Sequence, residues 1–183
     1  MRKISLLFIL FFGSLLGFSQ DGSLDLSFNP VGLTGATDGV DDLILQPDGK
    51  ILIIESGGMA PTNWISRLNS DGSLDTGFSN PLGESNFSLG ALQADGKIIL
   101  IKNDTLFSNY KIYRLNSDGT LDLSFITLSG ANGFIRTLVV QPDGKFIIAG
   151  AFTSYNGSQV NHMVRLNSDG TIDSSINLNN LIT

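Results

Sequence analysis

The chain contains 183 residues and carries a formal net charge of -6, with 42% hydrophobic and 15% charged residues. This negative charge repels phosphate backbones and anionic lipid, and it therefore argues against a nucleic-acid partner. The sequence contains no cysteine, which excludes a disulfide framework, and one histidine, His162, which excludes a histidine-rich metal site.

The first predicted element is a secretory signal peptide over residues 1–19. Two basic residues, Arg2 and Lys3, precede an apolar run that ends at Phe18, and the small residues Gly17 and Ser19 occupy the -3 and -1 positions for cleavage before Gln20. The run is shorter than the roughly 20 residues that a membrane-spanning helix needs. We therefore expect a secreted protein, outside the cell, in the periplasm or at the cell surface, and free of the membrane after cleavage. Residues 20–183 are expected to form one domain.

The remaining chain alternates two short phrases. The first phrase begins at residues 46, 93 and 141 and reads "QPDGKILII", "QADGKIILI" and "QPDGKFIIAG". The second begins at residues 67, 114 and 165 and reads "RLNSDGSLDTGF", "RLNSDGTLDLSF" and "RLNSDGTIDSSI". Two independent markers thus share a period of about 50 residues, which is typical of propeller blades and solenoids.

Each phrase contains a tight turn, "PDGK" or "NSDG", whose glycine supplies a positive φ. Strand-like segments flank these turns, and runs such as residues 51–54 are apolar without alternation, which indicates strands covered on both faces. The pattern predicts an all-β fold, a β-propeller-like array of about three four-stranded antiparallel blades. The blades are expected over residues 40–78, 88–125 and 136–176. The structural glycines are Gly49, Gly96 and Gly144 in the first turn and Gly72, Gly119 and Gly170 in the second.

The coupled phrases, "QPDGKILI" and "RLNSDGSLD", resemble the delta-60 repeat family of secreted bacterial proteins, which are domain-of-unknown-function β-propellers. The resemblance extends from Gln20 to Ile176 and implies no catalytic residue. Family members usually have more repeats, and a closed ring needs about four blades. We therefore expect part of a longer repeat protein, a short chain that self-associates to complete a propeller, or a free three-blade stack.

Oxygen-bearing side chains recur around the second turn, as they do in calcium loops, where about 6 to 8 oxygens bind the ion. The EF-hand spacing is not met, and three side chains would leave the shell underfilled. In the alternative, the asparagine and the first aspartate cap the turn while the last aspartate pairs with a neighbour. We expect this alternative, and hence no cofactor. The calcium candidates are Asn69, Asp71, Asp75, Asn116, Asp118, Asp122, Asn167, Asp169 and Asp173.

An arginine precedes each second turn, in a strand that is otherwise apolar. Such an arginine needs a carboxylate or carbonyl partner. A residue present in every unit most economically serves folding, so a structural role is expected for Arg67, Arg114 and Arg165. The available partners are Asp75, Asp122 and Asp173 of the second phrase, or Asp48, Asp95 and Asp143 of the first.

Ligand binding is expected where the copies differ, in the segments after the second strand of each unit. Aromatic side chains on these segments can stack on sugars or anchor a partner. The alternative is that they pack between blades. The candidates are Trp64, Phe107, Phe152, Tyr155 and His162.

No catalytic residue is predicted, and the expected function is a non-catalytic module for binding, adhesion or scaffolding of an extracellular protein or glycan. The alternative is a propeller carbohydrate-active enzyme, which needs two carboxyl groups across a cleft. The non-repeated acids available for this role are Asp41, Asp42, Glu55, Glu84 and Asp104.

Overall fold

The computed structural model of the protein describes residues 25, 27–28, 39–56, 65–79, 82, 87–104, 109–125 and 128–176. Throughout these ranges every regular element is a β-strand, which confirms the predicted all-β fold. No helix in the same ranges is long and apolar enough to cross a bilayer. The predicted signal peptide, residues 1–19, lies outside the described residues.

Three antiparallel sheets follow one another along the chain, one for each repeat, and we call them blades one, two and three. In each sheet the second strand lies between the other two. Blade one contains β1 (Gly39–Leu45), β2 (Ile51–Ser56) and β3 (Ile65–Leu68), and blade two contains β4 (Phe87–Leu92), β5 (Ile98–Asp104) and β6 (Asn109–Leu115). Blade three contains β7 (Ile135–Val140), β8 (Phe146–Gly150) and β11 (Met163–Leu166), and the segment between β8 and β11 forms a separate two-stranded hairpin of β9 (Ser154–Tyr155) and β10 (Ser158–Gln159).

The fourth strand predicted for each blade is reduced to a single residue pair. Leu74 forms one antiparallel bridge with Leu68 of β3. The next residue, Asp75, accepts the Gly77 N–H on its carboxylate at 3.0 Å, and this local hydrogen bond turns the chain away from β3. The equivalent bridges join Leu115 to Leu121 and Leu166 to Ile172.

The turns have the predicted geometry. In the first turn of blade one, the Gly49 N–H donates to the Gln46 carbonyl at 2.9 Å, and the Gln46 N–H donates to the Lys50 carbonyl at 2.8 Å. The positive φ expected of the turn glycines is confirmed in all six, since φ lies between 82° and 92°. The six are Gly49, Gly72, Gly96, Gly119, Gly144 and Gly170.

The blades stack face to face, and the core lies between them. Ile98 and Leu100 of β5 pack with residues of blade one, whereas Ile99 and Ile101 pack with residues of blade three. All four side chains are fully buried. Successive residues of a strand point to opposite faces, so a strand between two blades must be apolar at every position. This packing explains the continuous apolar runs. The first strands lie side by side, because β4 packs against both β1 and β7.

Candidate functional site

Each blade brings a lysine, an arginine and an aspartate together beside its second turn, and we call this group the ion triad. In blade two, Lys97 Nζ and Arg114 Nε donate to the same Asp122 oxygen, Oδ2, at 2.7 and 2.8 Å. The other oxygen, Oδ1, accepts the Ser124 N–H and hydroxyl at 2.9 and 2.6 Å. Arg114 and Asp122 are buried. The equivalent triads are Lys50, Arg67 and Asp75 in blade one, and Lys145, Arg165 and Asp173 in blade three.

The triads identify which aspartate pairs with each arginine. The partners are the last aspartates of the second phrase, Asp75, Asp122 and Asp173. The aspartates of the first phrase cap their own turns instead, since the Asp48 carboxylate accepts the Lys50 N–H at 3.1 Å. Asp95 and Asp143 make the same bond. Each triad thus places two cationic side chains against one carboxylate.

Each of the first two arginines also contacts the next blade. Arg67 Nη1 donates to the Ser117 carbonyl of blade two at 2.6 Å, and Arg114 Nη1 donates to the Ser168 carbonyl of blade three. The Arg67 guanidinium also lies 4.7 Å from the centre of the Phe78 ring. In blades one and two, the second-phrase arginine therefore joins its own triad, an aromatic ring of its own phrase and the neighbouring blade.

The triads lower the pKa of their carboxyl groups. The hydrogen bond from Lys50, with those from the Gly77 N–H and Arg67, lowers the pKa of Asp75 to about 2. For Asp122, burial acts to raise the pKa, but hydrogen bonds from Lys97, Ser124 and Arg114 outweigh it and hold the pKa well below its usual range. Lys145 contributes most to lowering the pKa of Asp173.

We expect acid to destabilise this fold. A carboxyl group whose folded pKa is depressed stabilises the protein above its unfolded pKa, and this contribution is lost as the pH falls toward the folded value. For Asp75 the window runs from 3.8 down to about 2. Urea unfolding at a series of pH values should therefore show the triad contribution intact near neutral pH and falling from about pH 4 downward.

The Asp75→Asn variant is the control for the acid prediction. Its amide does not titrate, so its free energy of unfolding should fall less steeply below about pH 4 than that of the parent chain. Equal slopes for the two proteins would contradict the triad assignment for Asp75.

The calcium candidates are occupied by contacts within the turn and the triad. In blade two, Asp118 Oδ1 accepts the Thr120 N–H and hydroxyl at 2.9 and 2.7 Å, and Asn116 Nδ2 donates to the same hydroxyl. Asp122, the third candidate, faces two cations. In the part of the chain that the structure describes, no group of three or more histidine, aspartate or glutamate residues could hold a metal ion. The arrangement favours the turn-capping interpretation. Asp71 and Asp169, with Asn69 and Asn167, make the equivalent turn contacts in blades one and three.

Removal of calcium is expected to leave the melting temperature unchanged. The candidate carboxylates already accept hydrogen bonds or face cations, so a divalent ion would have to break these contacts to bind. Thermal unfolding in chelator and in millimolar calcium tests this directly. A melting temperature that rises by several degrees with calcium would show that the loops bind it.

The variable segment of blade three does not present its aromatic rings to solvent. Phe152 and Tyr155 are 1% and 2% exposed and belong to the core between blades two and three. The Tyr155 backbone also bridges to Ala131, and burial raises the pKa of its hydroxyl. The prediction of these two residues as a ligand surface is therefore corrected, because their rings fill the space between blades. His162 is exposed, with a φ of 60°.

Of the remaining ligand candidates and the non-repeated acids, the structure describes only some. Trp64, Phe107 and Glu84 lie outside the described residues, as does the side chain of Asp104. The Asp42 carboxylate accepts the Gly90 N–H of blade two at 2.9 Å, so it contributes to blade packing. The remaining two acids are Asp41, which is exposed, and Glu55, which is buried.

A cavity of about 650 Å³ lies where the first strands of all three blades end. Its lining includes Gln46, Gln93 and Gln141, the first residues of the three copies of the first phrase. The side-chain oxygen of each glutamine accepts no hydrogen bond from the described residues, although all three oxygens are buried. Gln93 Nε2 donates to the Gly144 carbonyl at 3.1 Å. We did not predict this site, although the glutamine is visible in every copy of the phrase.

Stacked antiparallel sheets, one per repeat, with the same ion triad and turns in each, define a β-propeller repeat protein. The family described as "Domain of unknown function (DUF5122) beta-propeller" matches residues 46–78, 93–125 and 141–175, and the chain belongs to this family. Each matched segment begins at a cavity glutamine and covers both phrases of its blade, except that the third ends one residue before Ile176. A search of curated proteins found no match to the chain.

Proposed function

We propose that this chain is a secreted, non-catalytic propeller module that binds or scaffolds an extracellular protein or glycan. The resemblance to secreted delta-60 repeat proteins and the signal-peptide pattern of residues 1–19 support export. The repeated charged residues are engaged in the ion triads, and this supports a folding role for them over a catalytic one. Mass spectrometry of the exported protein should give a mature chain that begins at Gln20.

The cavity at the ends of the first strands is the observation that carries the binding proposal. Three blades contribute to one concave surface, and each supplies a glutamine whose side-chain oxygen lacks a donor among the described residues. Ligand sites are commonly concave, with a few polar groups that fix orientation. The lining combines polar residues such as Asp48 and Ser117 with the apolar Leu92 and Val140, which suits a ligand with both polar groups and apolar surface, such as a sugar or a peptide.

Binding to arrayed glycans and extracellular peptides, followed by titration of the best probe, tests the proposal. Ala94 is exposed at the cavity, and Ala94→Arg should fill part of the cavity without disturbing the blade core. Leu123→Arg is the matched control, since Leu123 is 88% exposed and does not line the cavity. We expect Ala94→Arg to weaken binding at least about tenfold, or about 1.4 kcal/mol, and Leu123→Arg to have no effect.

Equal binding by the two variants would place the ligand elsewhere and contradict the cavity assignment. Turnover of a polysaccharide that is lost in Glu55→Gln or Asp104→Asn would contradict the non-catalytic role. Those two variants test the carbohydrate-active alternative, because each removes one non-repeated carboxylate.

A further inference from the structure

The outer faces of blades one and three expose residues whose equivalents are buried between blades. On blade one, Leu43 and Leu45 of β1 are 59% and 71% exposed. They lie opposite Ile53 and Ile51 of β2 in the register of the sheet. In blade two, the residue equivalent to Leu45 is Leu92, which packs into the core against blade one. Blade one therefore presents the same apolar face that blades two and three bury against the blade before them.

Blade three presents the opposite face. Val139 of β7 is 54% exposed and lies opposite Ile147 of β8. The equivalent of Ile147 in blade two is Ile99, which is fully buried against blade three. Ile176, which occupies the position of Phe125 in the second phrase, is 39% exposed, whereas Phe125 is buried. Blade three therefore exposes the face that blades one and two bury against the blade after them.

The hydrogen bond that joins neighbouring blades has a donor on one outer face and an acceptor on the other, and neither finds its partner among the described residues. Arg67 and Arg114 each donate Nη1 to a serine carbonyl of the following blade. Arg165 uses Nε and Nη2 for Asp173 and Nη2 for Ser175, and its Nη1 makes no hydrogen bond to a described residue. The serine equivalent to Ser117 and Ser168 is Ser70 of blade one, which is exposed. Within the described ranges, no backbone donor bonds to the Ser70 carbonyl.

We propose that blade three of one copy docks against blade one of a second copy, with Arg165 Nη1 donating to the Ser70 carbonyl. We infer a second copy as the partner because the outer faces of blades three and one correspond to the two faces that pack together between neighbouring blades of one chain. Such a head-to-tail contact is heterologous and forms a ring when its rotation closes. Two copies give six blades, which lies within the range of about 4 to 8 known for propellers.

Sedimentation or light scattering of the purified chain over a concentration series tests the proposal. The parent chain should form a discrete dimer. Leu45→Arg places a charge on the blade-one face and Val139→Arg places one on the blade-three face. Each variant alone should be monomeric, with an unchanged far-UV circular dichroism spectrum. Leu123→Arg, which alters neither face, should remain dimeric.

Mixing the two variants separates head-to-tail docking from other modes of dimerisation. Leu45→Arg retains an intact blade-three face and Val139→Arg retains an intact blade-one face, so an equimolar mixture should recover a dimer with one contact. If blade one instead paired with blade one, Val139→Arg alone would still dimerise. A folded parent chain that stays monomeric, or a dimer unaffected by both substitutions, would overturn the proposal.

Discussion

Replacing Asp122 with alanine should lower the free energy of unfolding by about 3 to 5 kcal/mol, because removing one partner of a buried ion pair leaves its countercharge uncompensated. In this triad two cations, Lys97 and Arg114, share one carboxylate. The Arg114 and Asp122 side chains are each 7% exposed, so water can replace the lost contacts only poorly. The substitution also removes the acceptor for Ser124.

The control for this substitution is Asp118→Ala in the same second phrase. Asp118 is exposed, and its carboxylate caps the turn through Thr120. Loss of this cap should cost about 1 kcal/mol, the usual net value of a hydrogen bond. Urea unfolding of the two variants measures the difference. Losses of similar size would contradict the assignment of Asp122 to a buried triad.

Gly119→Ala is expected to be the second severe substitution, with a loss of about 3 kcal/mol or more from combined backbone strain and overpacking. Gly119 has a φ of 92°, and an added Cβ would lie 2.3 Å from the Ser79 carbonyl oxygen and 2.9 Å from the Phe78 ring. Both neighbours belong to the segment that follows the bridge of blade one. The Ser79 N–H also donates to the Asp118 carbonyl at 3.0 Å, which holds the two segments together.

Gly157→Ala separates the two contributions to this loss. Gly157 has a φ of 81°, but no heavy atom lies within 4 Å of an added Cβ. Its substitution should therefore lower the free energy of unfolding by only about 1 to 2 kcal/mol, which is the cost of placing alanine in the left-handed conformation. Denaturant unfolding midpoints of both variants provide the test. If Gly119→Ala is no more destabilised than Gly157→Ala, the result would contradict the close approach of blades one and two at this turn.

Features encoded within a few residues could be predicted from the sequence. The turn at Gly49 follows from "PDGK", because only a residue that tolerates a positive φ closes it. The burial of β5 on both faces follows from four consecutive apolar residues, Ile98 to Ile101. The period of the two phrases then gives one sheet per repeat. These properties depend on local backbone preferences and on side-chain alternation, which a single sequence displays directly.

Features that depend on which segments meet in space could not be predicted. Two aspartates per unit were available to Arg114, and the bridge at Leu121 is what brings Asp122 rather than Asp95 beside it. Tyr155 lies in a segment with turn residues on either side, yet its pairing with Ala131 directs it into the core. The fourth strand was predicted too long because the local bond of Asp75 ends it early.

The two turns of one repeat lie side by side in the same blade, and a pair of introduced cysteines measures this directly. A Cβ placed on Gly144 lies 3.7 Å from the Ser168 Cβ, which suits a disulfide. The chain has no native cysteine, so any bond formed is unambiguous.

Gly144→Cys with Ser168→Cys should oxidise to a disulfide and leave no free thiol in the folded protein. The closed loop should add about 3 kcal/mol, less the strain at residue 144. Gly144→Cys with Ser70→Cys, whose second cysteine lies in blade one, should retain two reactive thiols. Two reactive thiols in the first variant would contradict the blade assignment, whereas a disulfide there and none in the control would be the result that the fold predicts.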